Sequence, residues 1–406
     1  MISIFIGVGI PLAIGILMSP LFGLALTVIL IPISTQQTLG GSFLGLFSMV
    51  TPIKIIGSLT FISTLMHYGS KKEAWDFLKK PQIRFFFLFL IWIFISGFAQ
   101  PGFAARENFT MFISSAILGV IILILLQEIK KFRLVLRLII VTMFFICIQA
   151  VLSWAGVDRA EGTGYGPNEF AIMILPFIAI TLYMAISEKG MLRILSFISC
   201  TVIFLALLST ISRGGIIGFF AMILIAGVKA KSKIKAILLI LVFSAIIVNI
   251  MPKQVWERFE KIKVEENSKE QDIGGTTRRY FLAKAAWQIF CDHPVFGIGI
   301  GNYYYECSRY QPVYAGRAHN MYLEIMAELG TVGITLFLGV ILYTFKALNR
   351  VIKSKSVISG YAKGLFIGLV GFLVAGIFLH AQQDRVLWFL VFMSTALGRI
   401  HEKNYI

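Results

Sequence analysis

Apolar residues in this chain come in unbroken runs, not in the alternation of a half-buried strand or the stripe of a half-buried helix. The runs lie near 2–18, 21–34, 50–68, 85–98, 109–127, 138–155, 170–187, 194–210, 214–228, 236–250, 324–345, 363–379 and 386–399. Runs of this length cross a hydrocarbon core of about 30 Å as helices. Within lipid, a helix satisfies its backbone hydrogen bonds inside one segment. The pattern predicts an all-α polytopic membrane protein of about 12 transmembrane helices with one large helical extracytoplasmic loop. Proline at 11, 20 and 32 interrupts the first two runs, so their parity is not set by the pattern. The first run lacks a basic n-region and an A-x-A site, which marks a retained helix and not a cleaved signal.

Composition agrees. Of 406 residues, 58% are hydrophobic and 14% charged, too few polar side chains to cover a soluble domain of this length. The net charge of +17 raises the question of nucleic acid, but its placement answers it. The cations cluster in short loops between runs, at Lys71, Lys72, Lys79, Lys80 and Arg84, at Lys130, Lys131, Arg133 and Arg137, at Lys229, Lys231, Lys233 and Lys235, and at Lys346, Arg350, Lys353 and Lys355. This is the positive-inside pattern of cytoplasmic loops; no nucleic-acid partner is implied, and membrane lipid surrounds the chain. The outer face then holds 97–108, 155–169, 211–213, 251–320 and 380–385. Three parts result: an N-terminal transmembrane bundle of about nine or ten helices over 1–250, an extracytoplasmic loop over 251–323, and C-terminal transmembrane helices over 324–406.

The one long loop is of a different composition. Residues 251–320 carry ten Lys/Arg and eight of the chain's twenty Asp/Glu. Within it, Tyr280, Phe281, Lys284, Trp287 and Phe290 recur at helical spacing before Pro294, predicting a helix on or near the membrane surface. The turn-rich "GIGIGNYYYECSRYQPVYAG" follows. Its glycines at 297, 299 and 301 lack the strand and spacing of a nucleotide loop and read as a tight turn; no cofactor is implied. Five tyrosines fall in the twelve positions 303–314, as an interfacial belt or as faces on which sugar rings stack, with Tyr305 among them. Cys147 and Cys200 lie in apolar runs, while Cys291 and Cys307 share the loop and could pair in an oxidising compartment. No Cys/His set has metal-ligand spacing.

Arginine is out of place on the outer face, yet Arg159, Arg213, Arg278, Arg279, Arg309, Arg317 and Arg385 all map there. A guanidinium fork suits phosphate oxygens; the plainer reading pairs these arginines with Glu161, Glu169, Asp292 or Asp384, or with lipid headgroups. In "STISRGGIIGFF", Ser212 can cap a helix beginning at Gly214, making an anion site beside Arg213. In "RAEGTGYGPNEFA", Asn168 and Glu169 open a span where polar groups line a cavity, Glu169 toward an arginine or a sugar hydroxyl. In "RAHNMYLEIMAELGTVGI", His319 and Asn320 precede a helix entering the membrane. The helix terminus and nearby arginines disfavour imidazolium there, leaving a neutral base suited to a sugar hydroxyl. Gly330 and Gly333 would let this helix pack closely on a neighbour. His293 reads as a turn residue, His67 and His401 as cytoplasmic, and His380 as a lesser outer-edge candidate.

These motifs resemble a known family. "HNMYLEIMAELGTVG" is similar to the H-[NSQ]-x9-G-x-x-G signature of the bacterial O-antigen ligase and O-antigen polymerase superfamily, "ISRGG" to its inter-helix arginine motif, and "TTRRYFLAKAAWQIFCDHPVFGIGIGNY" and "GPNEFA" to further elements, in family order over roughly 159–335. The resemblance implies a GT-C-like glycosyltransferase of the bacterial cytoplasmic (inner) membrane, its site facing the periplasm or cell exterior. It would move a glycan from an undecaprenyl-diphosphate-linked donor to lipid A–core, as a ligase, or to another lipid-linked glycan, as a polymerase. Carried over, Arg213 and Arg279, or its neighbour Arg278, contact the diphosphate and His319 is the base. Arg159, Asn168, Glu169, Tyr305, Asn320 and Arg385 remain as contacts to diphosphate or sugar. Diphosphate is already a good leaving group, so fixed arginines suffice to neutralise it, and the outer face shows no D-x-D-like pair; the expectation is a metal-independent, inverting displacement. The rival outside the family is a transporter or flippase for an anionic lipid-linked sugar, which would keep its ionisable residues near the bilayer midplane.

Overall fold

The computed structural model describes residues 2–33, 51–99, 105–154, 159–162, 164–228, 275–312 and 314–405. The expected span 236–250, the basic cluster 229–235 and the first part of the long loop, 251–274, lie outside them. The described residues form fourteen α-helices, one 3₁₀ segment (Lys72–Lys79) and no strand. In chain order the helices are α1 Ile2–Met18, α2 Pro20–Leu30, α3 Pro52–Tyr68, α4 Pro81–Ala99, α5 Ala105–Leu125, α6 Ile129–Trp154, α7 Pro167–Ser187, α8 Gly190–Ser209, α9 Arg213–Val228, α10 Gly275–Asp292, α11 Tyr303–Tyr310, α12 Met321–Lys353, α13 Ser359–Ala375 and α14 Arg385–Tyr405. Six of them (α4 to α8 and α12) are long and apolar enough to cross a membrane, and α1, α2, α9 and α13 are shorter apolar helices. The expected spans near 50–68 and 386–399 form as α3 and α14. Lys54 and several hydroxyls dilute α3, and Arg399, His401, Glu402 and Lys403 close α14.

Small residues set the tightest packing. On α13, a Cβ added to Gly364 would come within 3.0 Å of the Ile180 backbone, and one on Gly368 within 2.8 Å of the Pro176 carbonyl. Without side chains at these positions, α7 lies directly against α13. In lipid, where apolar burial gives helices no reason to associate, close van der Waals approach of this kind supplies one. Around α14 the core is aromatic: Trp388 is fully buried and packs on Phe86, Phe89, Phe112 and Phe337 at centroid distances of 4.9 to 6.2 Å.

The two ends of the bundle differ in chemistry. At one end Lys80 pairs with Glu402, and Arg137 and Tyr361 both meet Glu188. Lys346, Arg350 and Arg399 line a crevice with Lys80 there. The described basic loops therefore share one end, as the charge pattern requires. At the other end stand the first turns of α5, α7, α9, α12 and α14, cross-linked by the hydrogen bonds described below.

The described part of the long loop has its own core. Leu282, Ala285, Ala286 and Ile289 of α10 pack on Tyr303, Cys307, Ala318 and Ala327. The helix expected around 280–290 is α10, but 303–310, expected as turn, is α11: Tyr303 is buried and its hydroxyl donates to the Leu282 carbonyl at 2.6 Å. Cys307 is buried in this core while Cys291 is exposed, and the two are unpaired.

Gly330 does not act as a helix-packing residue. It breaks α12, at φ 64°, ψ −165°, and the opened carbonyls receive the glycine turn from the loop. Ile298 N–H donates to Ala327 O at 3.0 Å, Gly299 N–H to Glu328 O at 2.9 Å, and Thr331 N–H to Pro294 O at 2.7 Å. From α4, the Trp92 indole donates to Leu329 O at 2.9 Å. A Cβ on Gly330 would lie 2.1 Å from Val295 O. Gly330→Ala therefore combines left-handed strain of about 1–3 kcal/mol with expulsion of the turn. The expected result is a lower thermal midpoint and faster proteolysis of the loop near 294–301 than in the native chain; equal midpoints would contradict it.

Candidate functional site

The site is assembled by one helix start and one loop. Asn320 caps α12, its Oδ1 accepting from the N–H groups of Tyr322 and Leu323, both at 3.0 Å. Of its side chain, only Nδ2 is left to donate to a ligand. The helix start is tied to α13, since Met321 N–H donates to Gly376 O at 2.8 Å. From Gly376 the chain runs through the loop 377–384, which brings His380 opposite His319. The two imidazoles meet edge to face with centroids 5.8 Å apart. Each has a buried Nδ1 without a hydrogen-bond partner among the described residues. His319 sits at φ 50°, a left-handed conformation that turns the chain sharply into the cap.

His319 is held neutral. Its pKa falls from 6.5 to about 4, first through burial, then through Arg279 and His380, with Glu324 opposing. Burial, more than the helix terminus, is the main cause. His380 is lowered too, again chiefly by burial. The other member of the loop that titrates unusually is Asp384, half-buried and pushed up to about 6 chiefly by desolvation, with its Oδ1 accepting from Val386 N–H at 2.7 Å.

Beneath the histidines lies a carboxylate that the sequence did not single out. Glu324 is wholly buried. Its Oε1 accepts from Arg317 at 2.9 Å and from the Gln382 amide at 2.9 Å, and its Oε2 from Ala318 N–H at 3.1 Å. It thus binds the turn before His319 and the loop after His380 to one helix. One turn on, Glu328 accepts from Tyr303 N–H at 3.3 Å.

The arginines divide. Arg279, and less strongly Arg278, lie within electrostatic reach of His319 and depress its pKa. Arg278 donates to Ala315 O at 2.6 Å and so holds the turn that leads to Arg317. Arg213 opens α9, where Ser212 Oγ accepts from Gly215 N–H at 3.4 Å. A Cβ on Gly214 would touch Phe378 at 3.1 Å, so the first turn of α9 rests two residues from His380. Arg159 is turned to bracing: it donates to Thr210 O and to Asn168 Oδ1, each at 2.9 Å. Glu169 accepts from Gly166 N–H at 3.3 Å, closing the start of α7. The expected arginine–carboxylate pairs with Glu161, Glu169, Asp292 or Asp384 do not form among the described residues; Arg317 pairs with Glu324 and Arg309 with Glu306 instead. Tyr305 is exposed beside Tyr304 on α11. Arg385 lines a separate cavity.

Fold and cluster together define a multi-pass helical membrane protein with half-buried neutral imidazoles and arginine gathered at the end of the bundle away from its basic loops. Residues 198–338 match the family described as O-Antigen ligase, which bears out the superfamily resemblance read from the motifs. The chain is also 25% identical over 254 residues to the teichuronic acid biosynthesis protein TuaE of Bacillus subtilis (strain 168), a match that spans 58% of this chain and 51% of that protein, about half its length.

Proposed function

We propose that the protein transfers a glycan from undecaprenyl diphosphate to a sugar hydroxyl at the periplasmic face of the membrane. Arg213 and Arg279 neutralise the departing diphosphate, and His319 takes the proton of the attacking hydroxyl as that oxygen bonds to the anomeric carbon in one inverting displacement. Nothing in this division of labour calls for a cofactor. The observation that carries the reading is the buried Nδ1 of a neutral His319 beside Arg279. A general base needs a nitrogen not already hydrogen-bonded, and an anion needs a cation within electrostatic reach; His319 and Arg279 meet those needs. The relative named for teichuronic acid biosynthesis supports a polysaccharide product. The acceptor is lipid A–core for a ligase and a second lipid-linked glycan for a polymerase.

A broken helix with buried carboxylates is also a transporter device. In this chain the break in α12 is filled by the 294–299 turn, and Glu324 is committed to Arg317 and Gln382. Both features brace a fixed site more than they open a path.

The test uses purified full-length protein in nanodiscs with an undecaprenyl-diphosphate-linked glycan. Arg213→Ala and Arg279→Ala each remove charge-assisted contacts of about 1.5–3 kcal/mol, so the donor KM rises by roughly tenfold to a hundredfold. Product with retained anomeric configuration, or movement of intact donor without transfer, overturns the proposal.

The pH profile is a second check. Free enzyme carries neutral His319 down to about pH 4, so the acid limb of kcat/KM lies well below 6.5. A bound diphosphate offsets Arg279 and raises the imidazole's proton affinity, so the acid limb of kcat lies higher. An inflection near 6 that Asp384→Asn removes belongs to Asp384. Coincident limbs for kcat and kcat/KM would contradict the arrangement.

A further inference from the structure

Beyond the histidines, the loop 377–384 ends in Arg385, which lines a cavity of about 340 Å³ walled by α2, α3 and α5. Lys54 of α3 shares it. Among the described residues the wall contains these two cations and no carboxylate, while Ile113, Ile117 and Ile121 supply an apolar side. Thr110 and Ser114, also in the wall, donate their hydroxyls to backbone carbonyls of their own helix, each at 2.7 Å. Two like charges in a chamber of ligand size, set into a membrane bundle beside apolar surface, fit an anionic head joined to a hydrocarbon tail.

The loop joins this chamber to the site. Gln382 donates to Glu324 beneath His319, and Gln383 donates to Asn108 on α5. Residues 380 and 385 thus present an imidazole to one side and a guanidinium to the other.

We propose that this cavity binds the phosphate head of a second lipid, the one that receives the glycan. The inference rests on the transfer reading above and deepens it: an acceptor held by its own lipid phosphate is a lipid-linked glycan, as in a polymerase. The glycan of that acceptor reaches across the short 377–384 loop, and its terminal hydroxyl meets the donor's anomeric carbon at His319.

The binding arm is measured without turnover, with undecaprenyl diphosphate and full-length His319→Ala protein in phosphatidylcholine nanodiscs. Two equivalents bind. Lys54→Gln with Arg385→Gln abolishes one, and Arg213→Ala with Arg279→Ala abolishes the other. Binding of one equivalent, or two that survive Lys54→Gln with Arg385→Gln, overturns the proposal. Phosphatidylglycerol that displaces the Lys54-dependent equivalent at matching concentration makes this a phospholipid site and also overturns it. In the transfer assay, Lys54→Gln raises the acceptor KM about tenfold, Lys54→Arg restores it, and the donor KM stays within twofold; an unchanged acceptor KM overturns the acceptor role. Two equivalents with the expected losses, in a native protein that transfers nothing, leave the second lipid site standing and fell the transferase reading alone.

Discussion

His319→Asn is expected to bind undecaprenyl-diphosphate-linked donor within about threefold of the native affinity and to lose glycan transfer by roughly 10²- to 10⁴-fold, the range for removing a positioned general base. Asparagine is the informative replacement because residue 319 sits at φ 50°, where asparagine is among the few side chains tolerated without added strain. The turn into the α12 cap is thereby kept while the imidazole is lost. Under the proposed mechanism donor affinity survives, because Arg213 and Arg279 are the residues assigned to the diphosphate. The loss falls on kcat, since proton removal is realised only in the transition state. The measurement is a paired one on full-length protein in nanodiscs: equilibrium binding of donor, and initial rates of polymer or ligated product. Native rates in a protein that still binds donor would remove His319 from the mechanism. Parallel loss of binding and rate would recast it as a structural residue. His380→Asn serves as the comparison. It stands 5.8 Å away by ring centroid with its own open Nδ1, and a smaller loss there than at His319 is expected if His380 positions the acceptor and does not take its proton.

What the sequence showed and what it hid divide along a physical line. Patterns that depend on neighbours within a few residues were readable. The helix start after Asn320, the Ser212 cap before α9, the α10 helix and the glycine turn at 297–301 each follow from local backbone needs. Apolar runs were readable because lipid imposes length and composition together. The partners of polar groups were not. Glu324 meets Gln382 across 58 positions, and nothing in "NMYLEIMAEL" distinguishes a hub carboxylate from a surface one. Arg159 was read as a ligand contact, whereas its guanidinium spans two loops that only folding brings together. His380 was ranked low because its own stretch, "FLHAQQDR", carries no motif; it gains weight only from facing His319. The tyrosines of 303–310 were assigned together as turn, but α11 buries Tyr303 and exposes Tyr304 and Tyr305. Gly330 was expected to admit a neighbouring helix, since a glycine in an apolar helix is usually there for packing. That it breaks the helix depends on hydrogen bonds donated from residues some thirty positions earlier.

Glu324→Ala is expected to be the most damaging substitution for the folded site. The carboxylate is wholly buried and satisfies three donors: Arg317, the Gln382 amide and Ala318 N–H. Removing it takes from the largely buried Arg317 guanidinium its ion-pair partner, leaving Glu328 and Glu107 only at longer range, a change that costs about 3–5 kcal/mol where one partner of a buried pair is deleted. It also frees both segments that carry imidazoles, since Ala318 precedes His319 and Gln382 follows His380 by two residues. Transfer activity should therefore fall together with stability, unlike the His319→Asn case. Unfolding by SDS titration in bicelles reads the stability, and a double-mutant cycle with Arg317→Met reads its cause. Once Glu324 is gone, losing Arg317 should cost less than it does in the native protein, with a coupling of at least about 1 kcal/mol. Glu324→Gln should fall between, because its one amide oxygen still accepts from either the Gln382 amide or Ala318 N–H, while its NH2 faces the other donor and gives Arg317 no counter-charge. Additive losses in the cycle, or Glu324→Ala protein of native stability, would show that the two loops hold their places without this carboxylate. The pairing of His319 with His380 would then need a different support.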